Sequence, residues 1–203
     1  MSAAGNIAAA AGEHLVLVLL AVGFAALLGL PAAVWAARNP RPGYYLLQAA
    51  DLVQTIPSLA LFGLLLPLPL IGGIGPRLAV IALFAYALLP ILRNTVAGLK
   101  SVPEPVKEAA VAMGLTPRQV LREVELPLAA PSIVAGLRIA TVTTIGTATI
   151  AAAVGAGGLG TFLYRGLATL EPNLLLAGAI PAAVMAILAD RILIWTENKL
   201  SQY

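Results

Sequence analysis

Residues 14–37 read HLVLVLLAVGFAALLGLPAAVWAA, a run from His14 to Ala37 without a carboxylate, an ammonium or a guanidinium group. About 20 apolar residues in helical form cross the hydrocarbon core of a bilayer, so this stretch is long enough to span it. Its apolar residues do not alternate with polar ones, which favours a helix over a barrel strand, the two forms that satisfy backbone amides inside lipid. No Lys or Arg precedes Arg38, and the run exceeds the apolar core of a secretory leader, so it reads as a retained span. Four further stretches have the same character, about Leu46 to Leu66, Arg77 to Leu99, Ala129 to Val154 and Leu174 to Trp195. The expectation is an all-α polytopic membrane protein, a single transmembrane domain over residues 1–203 with five transmembrane helices.

Composition points the same way. Of 203 residues, 60% are hydrophobic and 10% charged, with mean hydropathy +0.95, more apolar side chain than a soluble core of this length absorbs. There is no Cys and one His, His14, which excludes disulfides and thiolate sites and leaves no imidazole cluster, so no metal is expected. The net charge of +3 is spread over residues that flank the spans instead of forming a basic stripe with aromatics, so nucleic acid is not an expected partner.

Charge and aromatics set the orientation. The connections near 38–45 and 98–128 and the C-terminal tail carry Arg38, Arg41, Lys100, Lys107, Arg118, Arg122 and Lys199, against Arg77 and Arg165 on the other side. The positive-inside bias makes the first group cytoplasmic, with the N-terminus outside and the C-terminus in the cytoplasm. Trp35, Tyr44, Tyr45 and Trp195 fall at the same cytoplasmic ends, where amphipathic rings favour the headgroup layer.

The longest polar stretch, about Gly98 to Pro127, is too short to bury a core of its own, so it is a loop that docks on something. Ser101 with Glu104 forms a candidate capping box for a short helix running to about Met113. Gly114 supplies the turn. Thr116, Pro117 and Gln119 open a second short helix, expected to end before Pro127, where the fourth span begins.

Glu108-Ala109-Ala110, Gly114, Val124, Leu126 and Pro127 resemble, at fixed spacing, the EAA loop of bacterial ABC importer permeases. The resemblance implies the type I ABC importer permease fold and a coupling helix that inserts into a groove of a separate ATPase. Small Ala109 and Ala110 would then let the helix backbone approach that partner, and Glu108 would be a charged anchor. Gln54 to Leu61 (QTIPSLAL), Leu89 to Thr95 (LPILRNT), Gly146 to Thr149 (GTAT) and Gly155 to Gly160 (GAGGLG) extend the likeness to the osmoprotectant branch, the glycine betaine, carnitine and choline permeases. The methionine permeases share the spans and the loop but fit QTIPSLAL and LPILRNT less well. The implied partners are an ABC ATPase dimer, a second permease subunit, identical or paralogous, an external solute-binding protein and membrane lipid. ATP and Mg belong to the ATPase, and no cofactor is bound by this chain. It also lacks a Walker-type phosphate loop, so it cannot bind ATP by that route. The implied function is a non-enzymatic transport subunit in the bacterial inner membrane.

Inside the spans, Gln48, Asp51, Thr55 and Ser58 share one face of span two at helical spacing. An ionised Asp is costly in lipid, so Asp51 is expected near an interface, paired or facing water. Arg93, Arg138 and Asp190 lie at comparable depth and are its candidate partners in an ion-pair cluster that locks helices. The same polar face, with Asn94, Thr143 and Thr147, is the candidate lining of the pathway, although intramembrane Thr commonly bonds its own helix backbone. Gly136, Ala140, Thr144, Ala148 and Ala152 form a small-residue stripe, assigned to packing within the subunit or across a dimer. Gly155, Gly157, Gly158 and Gly160 match a dinucleotide fingerprint only formally, because no βαβ unit surrounds them. They read as an outer loop or re-entrant turn, which in the family lies near the face toward the binding protein.

An ion-coupled carrier is the other transport class, but internal repeats and midplane ionisable groups are not evident. A membrane enzyme would need a catalytic cluster that one His and no Cys do not supply.

Overall fold

The computed structural model describes residues 3–69 and 71–201; the extreme ends of the expected 1–203 unit lie outside them. Among the described residues the regular structure is helical. Helix α1 (Ala3–Arg38) contains all of the first apolar run and starts well before it. At 1.5 Å per residue such a helix is about 54 Å long, so it projects beyond a hydrocarbon core of about 30 Å.

Span two is not one rod. It is α2 (Pro40–Thr55) and α3 (Ser58–Leu65), bent by 99° at the break. Pro57 causes the bend, because its ring pushes the residue before it out of helical geometry, and Ile56 accordingly sits at φ −72°, ψ 125°. The expected crossing from Leu46 to Leu66 is therefore corrected to a sharply bent helix pair, the form of a broken span or a re-entrant loop, whose freed polar groups must find partners.

They find them on α4 (Pro76–Ser101). Pro90, inside α4, has no N–H to give the carbonyl of Tyr86 four residues back. The side-chain amide of Gln54 donates to that carbonyl at 2.8 Å, and the Tyr86 hydroxyl donates to the Ile56 carbonyl at the break. Two proline defects thus satisfy each other across two elements.

After α4 come α5 (Glu104–Ala112), the three-residue α6 (Pro117–Gln119), a π-helical turn (Val120–Glu125) and α7 (Leu126–Ala148). Pro127 does not end the second short helix, as expected from its ring; α6 runs through the π turn into α7 without a break. The turn's wider spacing, with the Leu126 N–H bonded to the Leu121 carbonyl, accommodates a proline that a regular α-helical ladder would exclude. A 3-10 turn (Ile150–Val154) closes α7, and α8 (Gly160–Thr169) and α9 (Pro172–Leu200) complete the chain. Helix α8 was not foreseen.

The bundle centres on α4, which packs against α1 and α7, while α9 lies on α7 and α8. Gly136, Ala140, Thr144 and Ala148 are buried. Ala140 sits among Ala25, Ala87 and Ile91, and a Cβ on Gly136 would lie 2.7 Å from the Asn94 Cβ and 2.9 Å from the Pro90 carbonyl oxygen. The small-residue stripe is thus packing within the subunit, where close helix approach replaces a hydrophobic driving force that lipid does not supply. Large apolar side chains on the outer faces of α1 and α9, such as Leu19, Leu27, Ile180 and Ile192, are exposed.

Candidate functional site

The loop between α4 and α7 is a helical hairpin with one inner and one outer face. Val102, Ala110 and Val120 are buried and peg it to its own chain. Glu108, Ala109 and Gly114 are exposed, as are Val111 and Met113, the last 75% exposed. Of the two alanines read as a partner surface, only Ala109 is free; Ala110 is 1% exposed and faces inward, because residues two positions along a helix from Glu108 turn away from its face. Leu126 is half-buried and Pro127 exposed at the start of α7.

The hairpin's local chemistry explains its shape. The Leu115 N–H donates to the Ala110 carbonyl at 3.2 Å and the Gly114 N–H to the Val111 carbonyl at 2.9 Å, the paired bonds of a Schellman motif. Gly114 takes the left-handed conformation this requires, at φ 91°. Gln119 accepts from the backbone N–H of Thr116 at 2.9 Å and from its hydroxyl at 2.7 Å. The box expected at Ser101 and Glu104 does not form. Ser101 is the last residue of α4 and its hydroxyl donates to the Gly98 carbonyl at 2.8 Å, while Pro103 occupies the cap position of α5.

The polar face of span two does not enter the subunit's core. Gln48 and Thr55 are exposed, Asp51 and Ser58 half-buried, and the 99° break turns Ser58 off the line of the other three. The four ionic residues expected to cluster form two separate bridges. Asp51 accepts from Arg93 at 2.7 Å, joining α2 to α4. Arg138 on α7 donates to Asp190 at 3.2 Å and to Glu197 at 3.1 Å, both on α9. Glu197, about two turns beyond Asp190 on the same face of α9, is a partner that spacing alone does not single out, and a guanidinium fork can serve two carboxylates. A third bridge, Arg38 to Glu125 at 2.9 Å, ties the end of α1 to the π turn.

Asn94 donates its amide to the Pro90 carbonyl at 2.8 Å. Thr143 donates to the Ile139 carbonyl at 2.7 Å and Thr147 to the Thr143 carbonyl at 2.9 Å, so these hydroxyls are already engaged on their own helix.

The glycine segment is a tight turn between the 3-10 helix and α8. Gly155, Gly157 and Gly158 have φ of 72°, 81° and 76°, values that L side chains adopt at a cost. Gly160 opens α8 so close to the Thr149 carbonyl that a Cβ would collide with it. The Gly75 N–H reaches the Val154 carbonyl at 2.8 Å, and Glu13 and His14 of α1 also contact this region. The sequence marked those two only by their polarity in an apolar run.

Helices of this length and apolarity are those of a multi-pass membrane protein. The chain matches the family described as binding-protein-dependent transport system inner membrane component over residues 25–202, and it belongs to that family. It is 47% identical over 190 residues to the carnitine transport permease protein OpuCD of Listeria monocytogenes, covering 93% of this chain and 84% of that protein. It is 47% identical over 192 residues to the osmoprotectant import permease protein OsmW of Salmonella typhimurium, covering 94% and 89%. Among solved structures, an inward-facing form of the MetNI methionine ABC transporter superposes with TM-score 0.79 at 27% identity, covering 95% of this chain and 98% of that one. The fold is that of a type I ABC importer permease.

Proposed function

We propose that this chain is the membrane-spanning permease subunit of an ATP-driven importer for quaternary ammonium compatible solutes such as glycine betaine, choline or carnitine. The observation that carries the reading is near-full-length identity of 47% to a carnitine permease and 44% to the choline transport system permease protein OpuBD of Bacillus subtilis, well above the 27% shared with the methionine transporter.

In this reading the α5 hairpin lies in the cytoplasm, the N-terminus outside and the C-terminus inside. The side follows from the Lys and Arg of the hairpin and tail; Trp35, Tyr44, Tyr45 and Trp195 are all at least half exposed, and the Lys199 ammonium stands 5.4 Å over the Trp195 ring, an arrangement suited to a headgroup layer at those helix ends. Glu108, Ala109 and Met113 present the surface on which a separate ATPase docks, with Gly114 shaping its end and Leu126 and Pro127 joining it to α7. The ATPase holds ATP and Mg and closes on binding them; the hairpin passes that motion to α7 through the π turn and to α1 through the Arg38–Glu125 bridge. A second permease subunit covers the polar face of Gln48, Asp51 and Thr55, and an external binding protein delivers the solute.

Reconstitution with a partner ATPase and a binding protein tests the proposal. Radiolabelled glycine betaine, choline or carnitine should accumulate only with ATP and all components present. Uptake driven by an ion gradient without the ATPase would overturn it.

A further inference from the structure

Glu13 and His14 are consecutive on α1 and belong to no role assigned above. His14 is wholly buried, and its Nε2 lies 3.0 Å from the Ile145 carbonyl oxygen of α7. A carbonyl only accepts, so Nε2 carries the proton and donates, and in the neutral ring that full burial favours Nδ1 is left as an acceptor. That Nδ1 is buried without a partner. Gly158 packs on the ring, since a Cβ there would lie 3.2 Å from Nδ1. The Gly158 N–H points instead to Glu13, whose Oε2 accepts it at 2.9 Å.

Three glycines with left-handed φ give the 154–160 segment little backbone preference of its own. Its position is therefore set by what holds it: the Gly75 N–H on the Val154 carbonyl at one end and, at Gly158, the charge-assisted bond from the main chain to Glu13. A groove of about 510 Å³, lined by Glu13, Val16, Leu17, Pro76, Gly155 and Gly157, adjoins the segment and leaves it room to move.

We propose that Glu13 and His14 are positioning residues that clasp the glycine segment to α1, His14 anchoring α1 to α7 while Glu13 grips and releases the Gly158 N–H during transport. Glu13 is exposed, so its carboxylate can let go of the Gly158 N–H into solvent, while the orphan Nδ1 stays buried beside the same glycine. The proposal rests on the importer reading and adds to it the residues that govern the segment facing the binding protein.

The chain has no native cysteine, so Ala156→Cys, at a buried position within the segment, is a single reporter. Maleimide labelling of the reporter is measured in purified full-length permease, assembled with its ATPase in proteoliposomes. The ratio of ATPase activity with and without betaine-loaded binding protein is measured on the same samples. In Glu13→Ala the labelling rate should rise about tenfold, the factor that a lost hydrogen bond to a charged group is worth, and the stimulation ratio should fall. Glu13→Gln keeps an acceptor oxygen without the charge and should fall between parent and Ala on both readouts. If the alanine variant does not assemble, the glutamine variant alone decides. Labelling at the parent rate in the variants that assemble would overturn the clasp. A parent reporter that no binding protein stimulates would count against the importer reading, while labelling, which is read without nucleotide or binding protein, would still decide the clasp.

Discussion

The amide of Gln54 donates to the backbone carbonyl of Tyr86 at 2.8 Å, and that carbonyl is open to it because Pro90 has no N–H to offer. Gln54→Leu would strand a polar group in an apolar bundle, at a cost of about 1–3 kcal/mol. Tyr86→Phe, which removes the hydroxyl bonded to Ile56, should cost about 1 kcal/mol. Thermal unfolding of the purified protein in detergent should show the midpoint falling in both variants, further for Gln54→Leu.

The same relationship makes a sharper prediction. Pro90→Ala restores a donor to the Tyr86 carbonyl, so Gln54→Leu should cost much less in that background than alone. The four proteins of this cycle, compared by unfolding midpoint, should show a coupling of about 1 kcal/mol. Additive effects would mean that the amide and the proline defect are independent.

Two glycines within helices should respond to alanine in opposite ways. Gly136→Ala places a methyl 2.9 Å from the Pro90 carbonyl oxygen, a backbone group with little freedom to retreat, and overpacking of this kind costs about 1–3 kcal/mol. Gly23, inside α1, has open space around its Cβ position, so Gly23→Ala should stabilise by up to about 1 kcal/mol through helix propensity alone. Yield of folded protein and its unfolding midpoint separate the two.

On the hairpin, Glu108→Ala alters an exposed side chain and should leave insertion and folding as they are while uptake drops and ATP hydrolysis no longer tracks transport. Gly114→Val forces a side chain into φ 91°, straining the backbone by about 1 kcal/mol or more, and should lower uptake through a misplaced hairpin. Uptake per ATP hydrolysed is the measurement; unchanged ratios in both variants would remove these residues from the coupling surface.

Arg138 serves Asp190 and Glu197 together. Arg138→Lys keeps the charge but not the fork that reaches both carboxylates. All three side chains are about a quarter to a third exposed, so the loss should be about 1 kcal/mol, at the upper end for accessible pairs. A shift of the unfolding midpoint by a few degrees, larger at low salt, is the expected outcome.

The long helices were legible because a bilayer imposes length and apolarity on anything that crosses it, and His14 to Ala37 meets both demands without help from other parts of the chain. The hairpin was legible where capping chemistry is local, as with Thr116 and Gln119. It was misread where tertiary continuity won. Ser101 remained in α4 instead of opening α5, and Pro127 failed to stop a helix because a wide turn lay just ahead of it. Pairing was the least legible layer. Arg93, Arg138, Asp51 and Asp190 could be placed at similar depth, but which cation meets which carboxylate depends on helix rotation, and nothing local in the chain encodes that. Gln54 shows the same limit, since its role follows from a proline 36 positions away.

The π turn before α7 has a geometric corollary. Each residue advances an α-helix by about 100° around its axis, and a π turn holds a residue beyond the α count. Trimming one residue from 120–125 would let regular winding resume, yet it would swing everything upstream, Glu108 included, roughly a quarter of the way round the rod. The number of residues in that turn, more than their chemical nature, determines the compass direction in which the hairpin points.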